Sequence, residues 1–122
     1  MSIWKTKSSN NLMPWGKETI FSSPFGISGK IIYLKSDCRT SLKYYKRSNQ
    51  CLFLLSGKVS IYAPDEKEFG DIFTEQGNYF ELVPGDTILI QNESPYRIKA
   101  MEDSVLVEAI AGPASFGDNI TR

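Results

Sequence analysis

The stretch SLKYYKRSNQCLFLLSG, residues 41–57, decides how the fold is read. It reads as a strand, a polar bend and a second strand closing on a glycine turn. In CLFLL the side chains of Leu52 and Leu54 share one face, and Cys51, Phe53 and Leu55 share the other, so both faces need covering. One face can fill the interior of a barrel. The other needs a second layer, either the N-terminal segment carrying Trp15 and Phe21 or a second subunit, and a homodimer is the expectation; packing within the chain would account for the same run.

Outward from this stretch the pattern repeats. Runs rich in Ile, Val, Leu, Tyr and Phe occur at 29–35 (GKIIYLK), 58–63 (KVSIYA), 79–83 (YFELV), 87–91 (TILIQ), 96–100 (YRIKA) and 104–110 (SVLVEAI). No stretch keeps the three-and-four spacing of a helix, so the chain reads as all-β, with about eight strands in a sandwich or barrel. Ser56-Gly57 suits a tight hairpin, and Pro84-Gly85 suits a type II turn. PDEKEFGD (64–71) and NESP (92–95) read as solvated turns, and the ends, about 1–15 and 112–122, as irregular. In PYRIKA the alternation puts Tyr96, Ile98 and Ala100 on the inward face, with Arg97 and Lys99 pointing the other way.

The 122 residues suit one domain spanning 1–122. Fourteen Lys and Arg balance fourteen Asp and Glu, which removes the basic footprint that nucleic acid binding requires. Cys38 and Cys51 are expected to be free thiols. MSIWKTKSSNNLMPWG lacks the apolar core of a signal peptide, and no apolar run approaches the ~20 residues of a membrane span. A soluble, cytoplasmic protein with no membrane partner is the expectation.

Two motifs in order carry a resemblance. SLKYYKRSNQCLFLLSGKV (41–59) is similar to the first motif of the cupin superfamily, and VPGDTILIQNESPYRIKAMED (83–103) to the second. MPWGKETIF upstream and SVLVEAIAGP downstream resemble the corresponding parts of type II mannose-6-phosphate isomerases. The resemblance covers most of 13–113 and implies a single-domain double-stranded β-barrel, or jelly roll. It also implies a divalent metal held by His, Gln or Glu at the positions aligned with Lys43, Tyr45, Gln50 and Tyr96. The chain has no histidine. An ammonium has no lone pair, a neutral phenol is a poor ligand and a lone amide is weak, so no metal and no other cofactor is expected.

What the resemblance leaves is a pocket with altered chemistry. The first expectation is a metal-free, small-molecule-binding barrel lined by Lys43, Tyr45, Gln50, Tyr96 and Arg97, whose ligand is a sugar phosphate, sugar nucleotide or other small anion. A buried lysine must be paired, deprotonated or near water, so Lys43 either binds an anion, pairs with an acid such as Glu108, or faces solvent. A second reading is a metal-independent sugar isomerase or epimerase, with Tyr45, Tyr96 and Lys43 as the catalytic candidates, provided that a tyrosine pKa falls toward neutrality. A third is a structural dimer whose pocket is plugged by its own side chains.

Overall fold

A computed structural model describes residues 2–64 and 77–112, and the backbone of 119–121. Among the described residues the chain forms eleven strands and no helix. Three precede the quoted stretch: β1 (Ser9–Met13), β2 (Gly16–Ser22) and β3 (Ile27–Leu34). The stretch itself supplies β4 (Lys43–Tyr45) and β5 (Asn49–Ser56). Then come β6 (Val59–Pro64), β7 (Gly77–Leu82), β8 (Thr87–Ile90), β9 (Arg97–Ala100), β10 (Ser104–Ala111) and β11 (Asn119–Thr121).

Every pairing is antiparallel. A six-stranded sheet runs β1-β2-β3-β10-β5-β8, a three-stranded sheet runs β7-β6-β9, and β11 pairs with β4. Backbone bonds tie β4 to the chain around β9: Lys43 N–H donates to the Tyr96 carbonyl at 3.1 Å, and Tyr96 N–H donates to the Lys43 carbonyl at 2.9 Å. The result is a jelly roll of two facing layers, not a ring of strands closed by continuous pairing among the described residues. The core lies between the layers. Ile32, Leu34, Leu52, Leu54 and Leu106 enter it from the large sheet, and Val59, Ile61, Leu82, Ile98 and Ala100 from the small one. Each buried Leu or Ile contributes ~1.5–3 kcal/mol relative to exposure, enough to fix which face of each strand turns inward.

Several expectations change in the structure. Ser56-Gly57 is not a hairpin turn, because β5 pairs with β10 and β8 while β6 pairs with β7 and β9. Gly57, at a φ of 92°, instead carries the chain from one layer to the other. The N-terminal segment is irregular only over residues 2–8, because Ser9–Met13 pairs with β2 at the edge of the large sheet. Its polar residues gave no apolar run, and the ladder of backbone hydrogen bonds holds them there. Trp15 is buried in the core, so it covers no outer face. At the other end Asn119–Thr121 is a strand, and Cys38 and Cys51 are free thiols. The turn read at 64–71 falls, beyond Pro64, outside the described residues. Pro84 and Gly85 do occupy the centre of a turn, closed by Asp86 N–H donating to the Val83 carbonyl at 3.0 Å.

Gly29 of β3 permits one close approach on the outer side. The Phe21 ring lies across it, where a Cβ would collide with the ring. Gly29→Ala is therefore expected to lower the stability by about 1–3 kcal/mol in urea unfolding, and the loss should shrink in a Phe21→Ala background.

Candidate functional site

Strand alternation delivers charged side chains into the interior. On β3 the inward residues are Ser28, Lys30, Ile32 and Leu34, and on β10 they are Ser104, Leu106, Glu108 and Ile110. Lys30 and Glu108 are direct cross-strand partners. On β2, Glu18 stands two pairs further along and so on the same face, opposite Ile32.

These residues form a buried ionic chain. The Lys30 Nζ lies 3.3 Å from Glu18 Oε2 and 3.9 Å from Glu108 Oε2. The Tyr96 hydroxyl crosses the interior and donates to Glu108 Oε1 at 3.0 Å. Glu108 is completely buried, so it depends on these two partners for its charge. Burial first, and then the Glu108 charge, push the Tyr96 phenol well above its ordinary range. It is thus a fixed proton donor at neutral pH. The condition for Tyr96 as a base, a pKa falling toward neutrality, is not met.

Four of the five residues singled out in the sequence converge here. Lys43 and Tyr96 are backbone partners on one side of the interior. Tyr45 is buried, and the Lys43 ammonium stands 5.8 Å from the centroid of its ring. Gln50 enters from β5, close enough to Tyr96 to favour its ionised form slightly, yet neither Nε2 nor Oε1 of this buried amide completes a hydrogen bond. Glu108 Oε2 also accepts none. The fifth residue, Arg97, is not in the interior. It lies on the opposite face of β9 from Ile98, with its guanidinium 5.6 Å from the centroid of the Tyr62 ring, as the period of two requires.

Lys43 is not the ion-pair partner of Glu108, because that carboxylate is engaged by Tyr96 and Lys30. Lys43 makes no ion pair among the described residues. Burial and the neighbouring Lys30 charge lower its pKa to about 8, and Glu108 only partly offsets them. It therefore exchanges its proton close to physiological pH.

Lys30 and Glu18 are the site residues that the sequence reading missed. The signal was there, since alternation in GKIIYLK places Lys30 on the same face as Ile32 and Leu34. A charge on an otherwise apolar strand face marks a buried ion pair or a site.

The donor set does not fit the metal that the resemblance implies. Its two carboxylates, Glu18 and Glu108, already share the Lys30 ammonium, and Lys43 adds a second cation beside it. Among the described residues no group of three or more His, Cys, Asp or Glu comes together as a metal site. A divalent ion placed here would be repelled by two lysines and would have to displace one of them.

A recess of about 550 Å³ opens beside this cluster, between β8 and the small sheet. Its walls are mostly apolar, with Ile61, Phe80, Ile88, Ile90 and Pro95, and Tyr96 is the residue that it shares with the polar cluster.

No protein-family model matches the sequence, and no curated protein matches it. Solved structures do match in fold. A point mutant of the oxalate decarboxylase of Bacillus subtilis superposes with a TM-score of 0.76 at 16% identity, over 93% of this chain and 30% of that one. The capsular polysaccharide assembling protein CapF of Staphylococcus aureus gives 0.76 at 14% identity, over 96% and 33%. The conserved SPY1581 protein of Streptococcus pyogenes, of unknown function, gives 0.62 at 12%, over 80% and 75%. The chain thus spans about 30% of the length of that oxalate decarboxylase. At such identities the likeness is one of fold, and the fold that this chain shares with the oxalate decarboxylase and CapF is the jelly roll of the cupin type.

Proposed function

We propose that this chain is a small-molecule-binding cupin that uses Lys43, in place of a metal, to hold a small anionic or hydroxyl-rich ligand in the interior. One observation carries the reading: the buried Gln50 amide has a donor and an acceptor with no partner, beside Lys43 and Tyr96. Unpaired polar groups in a core cost ~1–3 kcal/mol each, and a ligand that bonds to them recovers that cost. Lys43 supplies positive charge, Gln50 an amide donor and acceptor, and Glu108 Oε2, which is ion-paired with Lys30 but accepts no hydrogen bond, a further acceptor, while the Tyr96 hydroxyl stays donated to Glu108 Oε1. The mixture suits a sugar phosphate or sugar nucleotide, the ligand class implied by the resemblance to type II mannose-6-phosphate isomerases. The recess at Tyr96 is the route of entry.

Calorimetric titration with mannose 6-phosphate, fructose 6-phosphate, UDP-glucose, inorganic phosphate and oxalate tests this. At least one is expected to bind, and both Gln50→Ala and Lys43→Met to weaken it roughly tenfold or more, the effect of removing a charge-assisted or buried hydrogen bond. Binding that survives both changes would remove the interior as the site; no binding by any member would remove the ligand class.

The lowered pKa of Lys43 favours a second reading, metal-independent isomerisation of a sugar derivative. An amine with a pKa of about 8 can, once deprotonated, take a proton from a carbon acid while the Tyr96 hydroxyl turns from Glu108 Oε1 to donate to the developing oxyanion. Turnover of a sugar phosphate in the presence of a chelator, lost in Lys43→Met and in Tyr96→Phe, would establish it. Binding without turnover would leave the first reading standing alone.

A further inference from the structure

The outer face of the large sheet has no cover among the described residues. Strand register arranges it in rows. Phe21, Gly29, Ala109, Cys51 and Leu89 form one row across β2, β3, β10, β5 and β8, and Thr19, Ile31, Val107, Phe53 and Thr87 form the next. Neither row contains a charge. Leu55 flanks them at 56% exposed, and Leu89 is 77% exposed. The sequence left two covers open for the Cys51-Phe53-Leu55 face. The N-terminal segment is not one of them, since β1 and β2 extend the edge of the sheet, Trp15 is in the core, and Phe21 lies within the face itself.

We infer that a second copy of this chain covers the face, sheet against sheet about a two-fold axis. Five strands ~4.8 Å apart, each exposing two or three side chains, offer on the order of 600 Å² per copy. Two such faces reach the lower end of the ~1,200–2,000 Å² total of a stable interface. The patch reaches the upper end of the roughly 300–600 Å² that the largest apolar patch of a monomer covers, a size that commonly marks a contact surface. A face without charges also suits itself: the same rows meet under two-fold symmetry with no like charges opposed, and twisted sheets pack face to face at about 30°. The edge follows the same logic, because Lys17, held 4.6 Å from the centroid of the Tyr33 ring, lies in the row beyond the apolar ones.

The test is the mass of the full chain in solution, by light scattering on a sizing column from about 1 to 100 μM, together with the rate at which a maleimide alkylates Cys51. A dimer is expected, with Cys51 alkylation slowed at least tenfold relative to Phe53→Glu, which is expected to be a folded monomer. Because Phe53 is only partly exposed, Leu89→Glu at the open edge gives a second reading that carries no folding burden, and it should weaken the dimer at least tenfold. A monomer at 100 μM with rapidly alkylated Cys51 would overturn the inference and leave the face to a different protein. A dimer unaffected by both substitutions would overturn it in favour of another surface. Circular dichroism of each variant separates loss of assembly from loss of fold.

Discussion

Lys43→Met is expected to stabilise the folded protein by up to about 3 kcal/mol at pH 7, against the usual direction for replacing a half-buried residue. The reason is linkage. The Lys43 pKa is 10.5 when unfolded and about 8 when folded, so between those values the unfolded chain binds the extra proton. Stability from this group therefore rises as pH increases from about 8 to 10.5, and below 8 its charged form is a constant burden on the fold. Methionine fills much of the same space with no charge to bury. Urea unfolding of both proteins between pH 6 and 10.5 gives the difference directly. The wild type should close the gap as Lys43 deprotonates. A destabilised Lys43→Met variant, or a gap independent of pH, would mean that Lys43 is satisfied by its surroundings and is not held ready for a ligand. If the same variant also loses ligand affinity, stability has been traded for binding, as is common where a site holds an unpaired charge.

Lys30→Met should act in the opposite direction and more strongly, with a loss of about 3–5 kcal/mol. Both lysines enter the same interior, but Lys30 lies within ion-pair distance of Glu18 and Glu108 while Lys43 has no such partner among the described residues. Removing Lys30 leaves two carboxylates facing each other, and Glu108 is entirely shielded from water. Adding Glu108→Gln to Lys30→Met should recover at least half of the loss, because the amide removes one charge and still offers an oxygen to the Tyr96 hydroxyl. A loss below 1 kcal/mol in the single variant, or no recovery in the double, would show that Lys30 does not compensate the buried carboxylates. The pair of experiments separates a structural cation from a functional one within a single cavity.

Much of the candidate site was legible before the fold was known. The cupin-like motifs placed Lys43, Tyr45, Gln50 and Tyr96 in one interior, and the alternation in PYRIKA already turned Arg97 away from it. Lys30, Glu18 and the engagement of Glu108 were harder to see. Lys30 and Glu108 are each the one charge of their strand, which marks them, whereas Glu18 lies between Lys17 and Thr19, and the partners of all three become known only with the strands beside them. Lys30 and Glu108 are far apart in sequence and adjacent only because β10 lies beside β3. The Ser56-Gly57 turn was misread for the same reason, since a glycine turn between two strands looks alike whether they pair or part into separate layers.

The sequence by itself determined the periodicities: which residues extend, which side of each strand is apolar, and where glycine and proline allow the chain to turn. Those follow from local sterics and from the two-residue repeat of a strand, which need no partner. Only the tertiary structure decided which strands are neighbours, and with that the charge balance of the interior. It set Lys30 between two carboxylates, left Lys43 without an ion pair beside it, and left the outer apolar face bare among the described residues. Pairing between distant strands and the removal of water are properties of the assembled layers, and they alone distinguish a lysine that holds the fold together from one free to bind.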